Sequence, residues 1–367
     1  MHLQAQEGLM TTFRSDWRSR GLVAYVLSLG LFAFYITMYF GGQYGLPDLW
    51  QPLAEVAGLR SKWFLYGLVY TVWMVAGGTW YLRQHGNSRY NQVRIAVNVG
   101  VQVVLGFTLP FVMPLFGGSE YYFSYFWPLK YDYLYPSTLW SLPWYLALYG
   151  VVMAVFSAPL LAVFFGKRWY CSWVCGCGGL ANTFGDPWRH LTSSSTASWR
   201  FEKYAIHAVL ALAVISTGLI GMQQVGMGEG TILVPIAQQT KIWYGFIVGS
   251  ILSGVIGTAV YPVLGPRIWC RNFCPMAALL GASQKIGRFR IRVKRDMCIS
   301  CGNCTTYCEM GIDVRAYAQR NQDFVRSSCV GCGMCAHVCP RGVLRLENGA
   351  WTKAEDQQLQ GLSIIDY

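Results

Sequence analysis

The sequence predicts a mainly α-helical membrane protein of about six transmembrane helices with an internal hairpin repeat, joined to a small α+β domain rich in cysteine. Three observations predict it. Of 367 residues, 54% are hydrophobic and 16% aromatic while only 13% are charged, and the mean hydropathy is +0.32, a balance suited to a chain solvated largely by lipid. Apolar runs of about twenty residues recur up to residue 265, each long enough to cross a hydrocarbon core of roughly 30 Å. Beyond residue 291 these runs stop and two runs of cysteine follow, Cys298, Cys301, Cys304, Cys308 and then Cys329, Cys332, Cys335, Cys339.

In chain order, residues 1–20 form a basic segment with Arg14, Arg18 and Arg20 and no small-residue cleavage site, and are expected to be a cytosolic amino terminus. The transmembrane domain is expected over 21–265, with spans near 21–40, 63–82, 95–114, 145–165, 204–222 and 243–265. The net charge of +12 is spread along loops beside these spans, which points to topology rather than to nucleic acid. With the amino terminus inside, Arg83, Arg89, Arg94, Lys167, Arg168, Arg189, Arg200 and Lys203 face the cytosol, and only Arg60, Lys62, Lys130 and Lys241 of 29 basic residues lie outside. Both termini and all thirteen cysteines then share the cytosolic face of a bacterial inner membrane, where free thiols at this density imply reducing conditions.

The second outer connection, Gly117 to Trp144, is crowded with Tyr121, Tyr122, Phe123, Tyr125, Phe126, Trp127, Tyr131, Tyr133, Tyr135, Trp140 and Trp144. Such rings favour the membrane interface, so an aromatic belt is the first reading; a docking surface or the mouth of a quinone site is the second. In the last span Ser250 with Gly254, and Ser253 with Gly257, are spaced for close helix packing.

A duplication follows the fourth and sixth spans. Gly166-Lys-Arg168-Trp-Tyr-Cys171-Ser-Trp-Val-Cys175-Gly and Gly265-Pro-Arg267-Ile-Trp-Cys270-Arg-Asn-Phe-Cys274-Pro match at an offset of 99 residues, within segments 166–177 and 266–290. Cysteines at i and i+4 share a helix face, and two pairs brought together supply four thiolates. Cys171, Cys175, Cys270 and Cys274 are therefore the expected ligands of a metal centre, with a [4Fe-4S] cluster favoured and copper or disulfide exchange as alternatives. Arg168 and Arg267, at equivalent positions, are expected to offset its negative charge. Cys177 has no counterpart in the second repeat and is either a substitute ligand or a spare.

Residues 285–295 alternate basic and apolar from Arg288, which predicts a strand entering the domain at 291–347 ahead of a tail at 348–367; this basic edge suits anionic lipid or an acidic donor. Both cysteine runs read C-x2-C-x2-C-x3-C, the two-cluster ferredoxin spacing in which the fourth cysteine of each run ligates the other cluster. Cys298, Cys301, Cys304 and Cys339 are thus expected to hold cluster 1, and Cys329, Cys332, Cys335 and Cys308 cluster 2. Gly302, Gly331 and Gly333 suit the tight backbone around a cube. Zinc also uses C-x2-C pairs but does not call for the repeated third and fourth spacing. Pro340 follows Cys339, whereas Glu309 follows Cys308. A carboxylate beside one cluster is expected to disfavour its reduced, more negative state, so that the two potentials differ.

There is no C-x-x-C-H haem site and no phosphate loop; Gly226, Gly228 and Gly230 are spaced wrongly for a dinucleotide fingerprint. No catalytic residue is evident. His207 is the one histidine within a span, a packing residue or a quinone or proton contact, and His337 is expected at the surface. Residues 145–345 resemble the membrane polyferredoxins of the NapH/NosR/CcoG type, in which two C-x3-C-P motifs precede a cytosolic double [4Fe-4S] domain. The first motif departs, with Gly176 in place of proline and Cys177 added, and the first two spans are extra. The resemblance implies an electron-transfer subunit without independent catalysis, working with lipid, quinone and haem, flavin or iron–sulfur partners. A copper reductase or assembly factor, and a redox sensor or structural subunit, are the alternatives.

Overall fold

The structure, a computed structural model, describes residues 9–43, 45–226 and 232–349. Residues 1–8, most of the 348–367 tail, and Gly228 and Gly230 lie outside the described residues. Six long helices dominate: α1 (Leu9–Phe40), α2 (Lys62–His85), α3 (Arg89–Phe116), α4 (Trp144–Phe165), α5 (Thr196–Gln224) and α6 (Leu233–Ala259). Among the described residues, five helices are long and apolar enough to cross a membrane: all but α2, with Leu22–Phe40 the qualifying part of α1. The chain is therefore a multi-pass membrane protein. Lys62–His85 is long enough at 24 residues, but its tyrosines, tryptophans, threonines and glycines dilute its hydropathy.

The bundle is ordered by a few contacts. Just past its middle α1 meets the end of α6, Ser28 Oγ donating to the Ala259 carbonyl at 2.6 Å, and at its own end Phe40 packs on Phe246 at 5.7 Å, so the two run antiparallel. Close approach is possible there because Gly254 leaves room for the Tyr39 ring, and Gly257 for Trp269, as the small-residue spacing expected. At its start α2 is tied to the end of α1 by Lys62, which donates to the Gly41 carbonyl and pairs with Asp48, both at 2.9 Å. At its other end His85 meets Asp186 at 3.0 Å, beyond the first cysteine motif. Helix α2 thus runs from the end of the bundle remote from the cysteines to the end that bears them.

The connection 117–144 differs from a surface belt. Trp140 and Trp144 are exposed, but Tyr121, Phe126, Tyr133 and Tyr135 are buried, and Phe126 lies 4.9 Å from the Tyr170 ring beside the first cysteine motif. Between Gly117 and Lys130 the segment re-enters the bundle without helix, before short helical turns at Tyr131–Leu134 and Pro136–Ser141; lipid tolerates such a stretch only where the backbone is satisfied internally. Tyrosine hydroxyls do this: Tyr149 and Tyr170 donate to the Phe123 and Ser124 carbonyls at 2.9 Å, and Tyr133 accepts from the Tyr122 N–H at 3.0 Å.

The cysteine-rich end is built on α7 (Pro275–Lys285) and a two-stranded antiparallel sheet, β1 (Phe289–Val293) with β2 (Leu344–Asn348), in the register Ile291 opposite Leu346. Alternation from Arg288 predicted β1 correctly; Phe289, Ile291 and Val293 face the core. That core is continuous with the membrane side, since the same cluster of buried residues holds Cys171, Cys175, Cys270, Cys274, Phe289 and Ile291.

Candidate iron–sulfur centre

The duplication is preserved in backbone geometry. Gly166 and Gly265 share a left-handed φ of 74° and 93° with ψ of 165° in both, a conformation that favours glycine. In each repeat the second cysteine is extended, at φ −65° for Cys175 and −82° for Cys274. Each also returns its N–H to the residue five earlier, Cys175 to the Tyr170 carbonyl at 2.7 Å and Cys274 to that of Trp269 at 3.0 Å. The pairs consequently do not lie along one helix face, as i, i+4 spacing suggested. A break between two short helices turns each second cysteine, and the next helix starts on it: Gly176–Asn182 in the first repeat, α7 in the second.

Cys171, Cys175, Cys270 and Cys274 are each 5% exposed in one buried cluster. Arg267 joins the repeats, its Nη1 lying 3.4 Å from the Cys171 carbonyl and 3.6 Å from Cys270 Sγ. Burial pushes the Cys171 and Cys270 thiols up to about 11 despite that guanidinium. Arg168 does not mirror it: its guanidinium lies 4.6 Å over the Phe289 ring and reaches Asn348 at 3.0 Å. Where the second repeat has Pro266, the first has Lys167, fully buried at 0% exposure. Cys177 is half-buried beside Cys175, whose thiol it pushes upward ahead of burial itself.

The eight remaining cysteines sort into two hollows. One is lined by Cys298, Cys301, Cys304 and Cys339, with Leu344 and Arg315; the other by Cys308, Cys329, Cys332 and Cys335, with Ile291 and Phe324. In each, three cysteines of one run meet the fourth of the other. Gly302, Gly331 and Gly333 have φ of 84°, 58° and 81°, and a Cβ on Gly331 would meet Arg168 Cβ at 2.8 Å. All thirteen cysteines are free thiols.

Glu309 lines the hollow of Cys308, Cys329, Cys332 and Cys335, a carboxylate beside a cluster site as expected. Its carboxylate is fully buried but paired twice, with Arg189 at 2.7 Å and Arg267 at 2.8 Å. Burial opposes its ionisation, yet the two arginines outweigh it and hold Glu309 at about 2. Arg189 also binds Asp186, which meets His85, and the His85 ring lies 5.4 Å from His337. His337 is thus partly covered. Sequence reasoning missed this network because its members lie 42 and 120 residues from Glu309. Helix α3 adds Tyr90, whose hydroxyl donates to the Gly331 carbonyl at 2.7 Å, and Arg94, fully buried. His207 lines a shallow cleft with Lys167, Cys270 and Met310 between the repeats and the double-cluster region.

Known families and relatives agree with this site. A 4Fe-4S dicluster domain family matches residues 291–346, and a 4Fe-4S binding domain family matches twice, at 147–192 and 247–294. YccM of Escherichia coli (strain K12), named as a candidate electron transport protein, is 24% identical over 153 residues, covering 40% of this chain and 43% of that protein. The methylamine utilization ferredoxin-type protein MauN of Methylobacillus flagellatus is 25% identical over 146 residues, covering 39% and 49%. The matched stretch spans less than half the length of either relative. No solved structure matches.

Proposed function

We propose that this membrane polyferredoxin-like, iron–sulfur electron-transport chain passes single electrons along the cytosolic face of a bacterial inner membrane, between the quinone pool or a cytosolic donor and a partner respiratory oxidoreductase. The observation that carries this reading is the sorting of eight cysteines into two hollows of four, in the crossed order of a two-cluster ferredoxin, above four more buried together by the repeat. Cys298, Cys301, Cys304 and Cys339 hold cluster 1, Cys308, Cys329, Cys332 and Cys335 hold cluster 2, and Cys171, Cys175, Cys270 and Cys274 hold a third [4Fe-4S] cluster. Bound there, the clusters supply one-electron redox chemistry. The protein fixes their positions, excludes water from the inner sites and supplies the charges that set their potentials. Six spans place both termini and all the cysteines inside, with α2 crossing as the sixth. Clusters on one face cannot carry electrons across roughly 30 Å of lipid, so quinone or a haem, flavin or iron–sulfur partner completes the path.

Iron and acid-labile sulfide per chain, measured on anaerobically purified protein with EPR after stepwise reduction, test this. About twelve irons, three cubes of four, are expected. About eight would remove the third cluster and leave the repeated pairs as a copper or thiol site. Absence of a [4Fe-4S] signal would refute the relay.

A further inference from the structure

The cleft between the repeats and the double-cluster region carries more positive charge than its own carboxylate offsets. It is bounded by the first turns of α5, the start of α7 and the loop ahead of Cys329. Lys167, Lys203, Arg271 and Arg326 line it, and Glu202 is the one acid that does so among the described residues. That acid is already taken, by Arg271 at 2.7 Å. Arg326 pairs with no carboxylate among the described residues, and its guanidinium lies 5.4 Å over the Trp199 ring. Lys167 likewise takes part in no ion pair there, although it is 0% exposed. Cys270 also borders the cleft, but Arg267 already stands at its sulfur, 3.6 Å away. An ammonium group taken out of water without a counter-charge is strongly disfavoured, so the cleft calls for an anion that the chain itself does not supply.

The place of the cleft in the bundle says what kind of anion can reach it. Glu202 and Lys203 are the last charged residues of α5, and no Asp, Glu, Lys or Arg follows them as far as Gln224. Phe201 and Tyr204, on the same turns, are 55% and 71% exposed, as aromatic side chains at a boundary between lipid and water are. The cleft therefore opens at the level of the lipid headgroups, where basic pockets between spanning helices take anionic heads. Its chemistry suits a phosphate. Lys167 offers a compact point charge, Arg326 a planar fork for two oxygens, and Ser327 and Ser328, which also line the cleft, bring hydroxyl groups.

We propose that this cleft is a binding site for a phosphate group, and that the anionic head of a phospholipid at the membrane edge supplies it. Lys167 meets the phosphate from the buried floor and Arg326 from the opposite wall. The two walls belong to different parts of the protein, α5 to the membrane bundle and Arg326 to Ser328 to the double-cluster region. A phosphate held between them bridges the joint, so the bound lipid fastens the cysteine-rich end to the bundle.

Full-length protein, delipidated in an uncharged detergent and then offered phosphatidylglycerol, phosphatidylcholine or inorganic phosphate, tests the proposal. Native mass spectrometry reads bound lipid, and thermal unfolding reads stabilisation by each addition. Wild type is expected to hold a single phosphatidylglycerol about tenfold more tightly than phosphatidylcholine, and Lys167→Met and Arg326→Gln each to weaken that binding about tenfold. Arg326→Lys keeps the charge and stays near wild type. Arg326→Gln, on the more open wall, keeps the test decisive if the buried substitution unfolds the protein. Stabilisation by phosphatidylglycerol alone assigns the phosphate to lipid, and equal stabilisation by inorganic phosphate assigns it to a free anion; both uphold the site. Failure of all three additions to distinguish themselves, or binding unaltered in the neutral variants, would overturn it. Iron per chain is measured alongside: a Lys167→Met protein that loses iron yet binds phosphatidylglycerol as wild type does would assign the lysine to the cysteines and end the proposal.

Discussion

Glu309 stands where proline commonly follows the last cysteine of such a run, and its surroundings explain the exchange. Arg189 and Arg267 converge on it from the loops after the two membrane-side helices, so the carboxylate fastens the double-cluster region to the repeats. Glu309→Gln leaves both guanidinium groups short of a buried counter-ion, at a cost of about 3–5 kcal/mol. The expected result is a clearly lower Tm for detergent-purified protein, read by thermal unfolding, and an unchanged Tm would contradict the account. Gly176 is a second departure with a local cause. A side chain there would meet the hydroxyls of Tyr70 and Tyr125 and the amide of Gln102, groups supplied by α2, α3 and the re-entrant segment. Proline is accepted at the equivalent position in the second repeat, Pro275, which begins α7. The spacing of the cysteines was legible in the sequence because it is local. The partners of Glu309 were not, because nothing in a linear pattern says which of 29 basic residues will be folded back onto one carboxylate.

At the scale of elements, the repeat was visible as G-x-R-x-[WY]-C-x3-C, but its shape was not. Helical spacing suggested one face, whereas a break in each repeat aims the second cysteine, a choice that the N–H of Cys175 and of Cys274 makes by bonding five residues back. The aromatic connection misled for a similar reason. Composition records that tyrosine and tryptophan are plentiful but not whether their hydroxyls face lipid headgroups or an irregular buried backbone. Gln284 on α7 joins the two halves, bonding the Lys167 N–H and the Arg326 and Cys329 carbonyls. Gln284→Leu removes these bonds and leaves buried backbone groups unmet, at about 1–3 kcal/mol for each. Amide exchange, measured by mass spectrometry, should then accelerate at 326–330 and at Lys167 while that of α5 is unaffected. Protection unchanged at both places would show the clamp to be idle.

For the whole molecule, loop charge was read as a guide to orientation, and several of the residues counted are not loop charges at all. Arg94, Lys167 and Arg189 are buried against the cysteine sites, so part of the basic excess on that face belongs to the site rather than to topology. The orientation therefore needs a direct test, most of all at α2, which is the least apolar of the six long helices. With α2 spanning, a reporter inserted at Gly86–Asn87 and one at the carboxyl end lie on the same side: green fluorescent protein should shine, and alkaline phosphatase stay inactive, at both. Opposite behaviour at the two sites would remove α2 from the membrane. The chain of ion pairs and hydrogen bonds from His85 through Asp186, Arg189, Glu309 and Arg267 to Cys270 has a kinetic consequence as well. A redox domain on a slack tether visits its donor and acceptor by diffusion, and thickening the medium slows it. This one is bolted in place, so the internal transfer between its centres should proceed at the same pace in glycerol as in water.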